Sequence, residues 1–410
     1  MSSNPRVRSV SASTASLPVL PSRAAAVEAV RALLPRIRAR ARQVDTDRLV
    51  PEETIRDLME SGLFGVIKPK SLGGSELGLA TLVDVAAEVA SACGSTGWVY
   101  GVLAGHSWLL NLFPIEAQRE VFANPHTLTA TVFRFNAEVR PVAGGYRLTN
   151  GEGRFCSGID HADWVVIGCN VLREDSVPEQ RYLVIPRSDI AEIVDDWYVA
   201  GMRGTGSKTI RVPEAFIPEH RSVLAAEMSA GTSPGARYHR GTIYRMNWLD
   251  VAPFSLVGVP MGVGRAMVAT FAESLKKTMA KFTSEQMAEQ STTFTRLAVA
   301  AADIDAAHAS VIENALRIDN ASEPSDVTPE QLARVHRDWA YAAQRSRNAV
   351  TSLFEASGGS ATYDQSELQR LWRDANAAAQ HIAFAWDNSM PAYGRALVGV
   401  ARAKFGPKGR

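Results

Sequence analysis

Apolar positions recur at three- and four-residue steps along most of the chain, and only a central stretch alternates instead. Ala25, Val27, Val30, Leu33, Leu34 and Ile37 predict a first helix with arginines on its outer side. Glu52 to Ser61 predicts a second, opened by Pro51 and stopped by Gly62. KPKSLGG (68–74) reads as a turn-rich loop. Leu77 to Ala92 and Trp98 to Leu112 predict two more helices, the second carrying His106 and ending at Phe113-Pro114. Near residue 126 the texture changes. Runs at 127–133, 137–155, 162–171, 181–186, 192–199 and 209–218 are rich in β-branched and aromatic residues and are divided by Gly, Asn and Pro. They predict a compact antiparallel sheet or barrel, with AGGYRL as a hairpin. Residues 229–241 predict a mobile loop, in which Arg237, Tyr238, His239 and Arg240 could cover a pocket. Helices are expected again around 250–280, 284–318, 328–357 and 365–388, with Thr328-Pro329 as a cap and first turn. The fold class is α+β, mainly α. It comprises a disordered tail (1–22), an N-terminal helical domain (23–125), a central antiparallel β domain (126–228) and a C-terminal four-helix bundle (229–410).

Composition narrows the function. Apolar residues make up 46% of the 410 and charged residues 21%, with a formal net charge of +1. That balance offers no global field for nucleic acid or an anionic membrane. No apolar run approaches the roughly 18 residues that a bilayer span needs. Cys93, Cys156 and Cys169 show no C-x-x-C spacing, which argues against a disulfide framework or a zinc site and suits a reducing cytoplasm. The first 22 residues lack the apolar core of a secretory signal.

The candidate chemistry gathers at 358–387, a glycine-containing turn feeding a helix. Leu368, Leu371, Trp372, Ala375, Ala379, Ile382 and Trp386 predict its buried stripe. His381 sits beside that stripe with Ala377, Ala378 and Ala385 on its flank, leaving room for a non-protein group. A core histidine bonded to a backbone carbonyl gives the same pattern. There is no H-E-x-x-H and no G-x-S-x-G. GMRGTGSKT (201–209) misses P-loop spacing because Ser207 intervenes before Lys208, and a strand-like run follows it. GVPMGVG (258–264) is not G-x-G-x-x-G and lies in a helical pattern. Nucleotide hydrolysis and Rossmann dinucleotide binding are excluded.

FCSGIDHADWVVIGC (155–169) and WYVAGMRGTGSKTIRVPEAFIPEHR (197–221), with GSTGWVYGVLAGH (94–106) and LQRLWRDANAAAQHIAFAWD (368–387), stand in one order along the chain. Together they resemble the acyl-CoA dehydrogenase superfamily. More closely, they resemble its branch of two-component, reduced-flavin-dependent monooxygenases that hydroxylate aromatic compounds. The resemblance covers the chain from residue 23 onward. It implies an oxygenase component that takes reduced FMN or FAD, FMN favoured, from a separate reductase. It then passes oxygen to an aromatic or natural-product substrate by way of a C4a-hydroperoxyflavin. Ser157, His381 and His106 are implied in catalysis: Ser157 near the flavin N5, His381 in proton control, His106 on the substrate side. Phe155, Ser157, Gly204, Thr205, Gly206 and Ser207 are implied in flavin binding. Gly358, Gly359 and Ser360 are implied to meet the flavin phosphate of a neighbouring subunit in a homotetramer.

An N-oxygenase of an amine or amino sugar, an acyl-CoA dehydrogenase-like oxidoreductase and an inactive flavin-binding homologue remain as alternatives. The absence of Glu and Asp from 376–386 weakens the dehydrogenase. The family pattern G-x-W-x-F-x-S departs here at Gly153, where a tryptophan is expected. Loss of that indole predicts open space beside the cofactor, and with it either a larger substrate than a simple phenol or altered flavin packing.

Overall fold

The structure, a computed structural model, describes residues 16–172, 177–279 and 291–400. Most of the expected tail over 1–22, and the expected helix start at 284, lie outside the described residues. Helix α1 spans Arg23–Asp47, and the Ser22 hydroxyl accepts from the Ala25 N–H at 3.2 Å to cap it. Ala26, Val30, Leu33, Ile37, Ala41 and Val44 form its buried stripe. Helix α2 (Glu52–Glu60) is followed by Gly62 at φ +73°, where a Cβ would lie 2.2 Å from the Pro18 carbonyl oxygen. Only glycine permits that stop. Helices α3 (Leu79–Ala92), α4 (Gly94–Leu110) and α5 (Ile115–Val121) complete this part.

Among the described residues the central sheet has eight strands: β1 (Thr129–Val132), β2 (Asn136–Val142), β3 (Gly145–Cys156), β4 (Trp164–Val171), β5 (Glu179–Pro186), β6 (Glu192–Val194), β7 (Lys208–Pro218) and β8 (Ser222–Leu224). The order is β6-β7-β3-β2-β4-β5-β8, with β1 added on β4. The Gly-Gly turn makes the expected hairpin, pairing Val142 with Gly145. The sheet departs from purely antiparallel pairing in two places. β1 runs parallel to β4, and β2 meets β4 in parallel at Val139 and Val171. The β2–β3 hairpin is interposed between β1 and β4. It supplies the long crossover that a parallel pair requires.

After the short helix α6 (Ala225–Ala230) come α7 (Phe254–Met279), α8 (Ser291–Asp319), α9 (Pro329–Glu355), α10 (Glu367–Ala378) and α11 (Trp386–Leu397). Thr328 and Gln331 form a reciprocal capping box at the start of α9, as the Thr-Pro signal predicts. GVPMGVG lies inside α7, where its glycines serve packing. A Cβ on Gly258 would sit 2.5 Å from the Val83 carbonyl oxygen, and one on Gly262 would sit 2.2 Å from that of Ala87. Helices α3 and α7 therefore touch backbone to backbone. By length and apolarity the helical stretch containing α7 could cross a membrane, but 78% of its most apolar window is buried inside the protein.

Two expectations are corrected here. The helix expected over 365–388 stops at Ala378 and resumes at Trp386, with a 3₁₀ turn at Ile382–Phe384 between. Ile382, 75% exposed, and Trp386 therefore leave the predicted stripe. The segment 229–241 is a packed structure rather than a loose loop. His239 is buried against Tyr244 and bonds the Gln118 side chain at 2.7 Å, while Tyr238 stays exposed.

Candidate active site

Helix α4 is buried all round except at Trp98 and His106. These residues are eight positions apart, about 12 Å along a helix axis. They mark the two ends of the site.

At the first end, the Trp98 ring stands edge-on to His381 with centroids 5.4 Å apart. His381 is half-buried at the break after α10. Its Nδ1 accepts from the Ala383 N–H at 3.3 Å, so the neutral ring carries its proton on Nε2. Burial lowers its pKa to about 4. At pH 7 this ring is therefore a neutral N–H donor. The segment before it is held by α10. Asp374 accepts from the Met202 N–H at 2.7 Å. Arg373 bridges Asp45 at 2.7 Å and the Ala200 carbonyl at 2.8 Å.

Those bonds fix the turn that follows. The Gly204 N–H donates to Ser95 Oγ at 3.2 Å, and a Cβ on Gly204 would lie 2.1 Å from the Val44 side chain. Gly206 has φ +52° and faces Asp160, which is paired with Lys208 at 2.8 Å. Thr205, Ser207 and Ser157 form a chain of hydroxyls, with oxygens 2.8 and 2.7 Å apart. Two residues before Ser157, Phe155 adopts φ +65° and is 69% exposed. Its ring stands edge-on to Trp197 at 5.9 Å. A left-handed phenylalanine with an uncovered ring is strained, and such strain gathers at binding sites. The exposed Phe155 ring, the hydroxyl chain and the half-open His381 and Trp98 fit a flavin ring.

At the other end, His106 is half-buried with its Nδ1 turned inward. Burial pushes its pKa down to about 3, and its bond with the Thr129 backbone only partly opposes this. Its Nδ1 is buried with no hydrogen-bond partner among the described residues, and so are Thr129 Oγ1 and Thr131 Oγ1. Thr129, Thr131 and Phe133 alternate onto one face of β1 and the residue beyond it. The Phe133 ring meets His106 edge-on at 6.0 Å, Tyr182 at 6.3 Å, and stacks on Trp248 at 5.2 Å.

The structure thus brings Phe155, Ser157, Gly204, Thr205, Gly206 and Ser207 into one region, with His381 and His106 at opposite ends of α4. It does not bring Gly358, Gly359 and Ser360 to them. That turn is exposed, with nothing among the described residues within 4 Å of either glycine's Cβ position. The space expected at Gly153 is filled. A Cβ there would lie 2.5 Å from the Phe135 ring and 2.6 Å from Val132, so Phe135 occupies that room. Sequence reasoning missed Trp98, Phe133, Tyr182 and Trp248. Trp98 was legible as the position eight before His106; the other three come from separate elements.

Residues 22–127 match the family "Acyl-CoA dehydrogenase, N-terminal domain", and residues 254–386 match "Acyl-CoA dehydrogenase, C-terminal domain". The flavin-dependent monooxygenase oxygenase subunit HsaA of Mycobacterium tuberculosis is 35% identical over 87% of this chain and 90% of its own. The FADH(2)-dependent resorcinol hydroxylase oxygenase component of Rhizobium sp. is 31% identical over 91% and 92%. The crystal structure of the HsaA monooxygenase from M. tuberculosis superposes with a TM-score of 0.87, covering 93% of this chain and 99% of that one, at 32% identity. The chain belongs to the acyl-CoA dehydrogenase superfamily, in its branch of flavin-dependent monooxygenase oxygenase components. It is an enzyme that uses reduced flavin.

Proposed function

We propose that the enzyme hydroxylates a neutral aromatic compound bearing a hydroxyl group. The ring binds at the His106 end and the flavin lies between Phe155, Ser157 and His381. One observation carries this reading: the buried His106 Nδ1 has no hydrogen-bond partner among the described residues and stands beside Phe133, with Tyr182 and Trp248 around that ring. A neutral imidazole with a free nitrogen accepts a hydrogen bond from a phenolic O–H. The aromatic rings hold the substrate by stacking and exclude water.

Reduced flavin, when bound, supplies the electrons that activate dioxygen; one oxygen atom goes to the ring and the other to water. Reduced FMN or FAD suits the described residues. When Thr205 donates to Ser207 and Ser207 to Ser157, the Ser157 proton is free to donate outward. His381 offers its Nε2–H from the other side and is steadied by Trp98 and the Ala383 N–H. Neither histidine carries a charge at pH 7, so the pocket suits a neutral phenol better than a carboxylate. The exposed Gly358–Ser360 turn, with open space above it, supports a neighbouring subunit completing the flavin site in a homotetramer. The three buried free thiols support a reducing, cytoplasmic setting.

The test supplies the purified protein with reduced FMN or FAD, dioxygen and a panel of phenols. Ring hydroxylation tied to flavin oxidation is expected, with no turnover on NAD(P)H alone. Turnover on NAD(P)H without a reductase, or no product from any phenol, would contradict the proposal.

A further inference from the structure

On the outer side of the segment that holds the flavin turn, α1, residues 199–203 and the start of α10 enclose a cleft of about 700 Å³. That is ample for a small metabolite. Arg38, Arg42, Arg203, Arg370 and Arg373 line it, against the carboxylates of Asp45, Asp364 and Glu367. Two of those acids are already committed. Asp45 pairs with Arg373 at 2.7 Å, and Glu367 accepts from Arg370 at 3.1 Å.

Two guanidiniums are left incomplete. Arg370 is only 7% exposed, yet its Nη1 is buried without a hydrogen-bond partner among the described residues. Its nearest carboxylate there, Asp374, stands 3.8 Å away. Arg203 Nε is buried and unpartnered in the same way. A buried N–H on a permanent cation is costly to leave unpaired. Guanidiniums present donors in a planar fork that suits phosphate oxygens. Arg38 and Arg42, exposed on the rim, add positive charge at the entrance. The rest of the lining includes Thr46, Gln365, Ser366 and Gln369, which suit a hydroxyl-bearing body rather than an apolar one.

We propose that this cleft is a second binding site, separate from the flavin and substrate sites, for a phosphorylated small molecule with a polar, sugar-like body. The phosphate pairs with Arg203 and Arg370, and Arg42 guides it in. Arg203 opens the turn that ends at Ser207, so the site adjoins the flavin-binding hydroxyls without sharing them.

The test is calorimetric titration of the full-length protein with inorganic pyrophosphate, ribose 5-phosphate, adenosine 5′-monophosphate and unphosphorylated ribose. At low salt, at least one of the three phosphorylated probes binds and ribose does not. A response to pyrophosphate alone would reduce the site to a bare anion pocket and overturn the sugar-like body. Arg42→Gln, on the exposed rim, weakens binding about three- to tenfold. Arg370→Lys, which keeps the charge and loses the fork, weakens it more. Reduced-flavin affinity is unchanged in Arg42→Gln. Three results would overturn the proposal: no binding of any phosphorylated probe at millimolar concentration, equal binding by Arg42→Gln and Arg370→Lys, or a matching loss of flavin affinity in Arg42→Gln. The last would make the cleft the flavin's own phosphate seat.

Discussion

His106 and His381 stand at the two ends of one helix face and are lowered in pKa by the same cause, yet they are built for different work. His106 sits within the continuous helix α4, and its Nδ1 has no hydrogen-bond partner among the described residues. His381 sits where a helix breaks, and its Nδ1 is already occupied by the Ala383 N–H. Burial removes the charge from both, so neither acts as a cation. The first is left with an acceptor to offer, the second with a donor. Two neutral imidazoles can thus divide acceptor and donor roles without either titrating near pH 7.

The sharpest way to break this division is His106→Ala. Hydroxylation should fall roughly 100-fold while reduced-flavin binding persists. Oxidation of flavin without product, read as hydrogen peroxide release, should rise. If product and flavin binding fell together, the acceptor role would be wrong. His381→Ala should cost less, about tenfold in product per flavin oxidised. His381→Asn should recover part of this, because its side-chain oxygen can still accept from the Ala383 N–H. Equal losses in Asn and Ala would show that the cap is irrelevant.

Packing under the turn at 203–207 gives a smaller effect. Gly204→Ala forces a Cβ into the Val44 side chain at 2.1 Å. It should destabilise the fold by about 1–3 kcal/mol in denaturant titration and weaken reduced-flavin binding. Unchanged stability would mean that α1 yields freely there.

The pH dependence separates the two histidines more finely. Both folded pKa values lie below the unfolded value near 6.5, at about 3 for His106 and about 4 for His381. The unfolded chain therefore binds protons first on acidification. Stability is fully present above pH 6.5 and declines as pH falls, with a slope approaching ~1.4 kcal/mol per pH unit for each fully titrating histidine. The His381 contribution is lost down to about pH 4 and that of His106 down to about pH 3. His106→Ala should flatten the acid limb further than His381→Ala. Identical limbs in the two variants would contradict the difference.

Much of this was legible in the chain. The first helix with Val30, Leu33 and Ile37 buried, the Gly62 stop, the Thr328 cap and the Gly-Gly hairpin are local signals, and each appears where the pattern puts it. The break after Ala378 was not, because Ala377, Ala378 and Ala379 favour helix and Ile382 and Trp386 continue its period. There the backbone follows tertiary packing instead: His381 turns to Trp98, and Ile382 is released to the surface. Gly153 misled for a related reason. The room left by the missing side chain is taken by Phe135, which the sequence places eighteen positions earlier and the β2–β3 pairing brings back. The aromatic group around Phe133 was invisible because Tyr182 and Trp248 come from other elements.

The central claim is that His106 accepts a hydrogen bond from the substrate's hydroxyl. The direct measurement is the affinity of a phenol and of its methyl ether, each for the wild-type enzyme, His106→Ala and His381→Ala. The account predicts that wild type prefers the phenol by about tenfold. That preference should vanish in His106→Ala and survive in His381→Ala. A preference unchanged by His106→Ala would contradict the account.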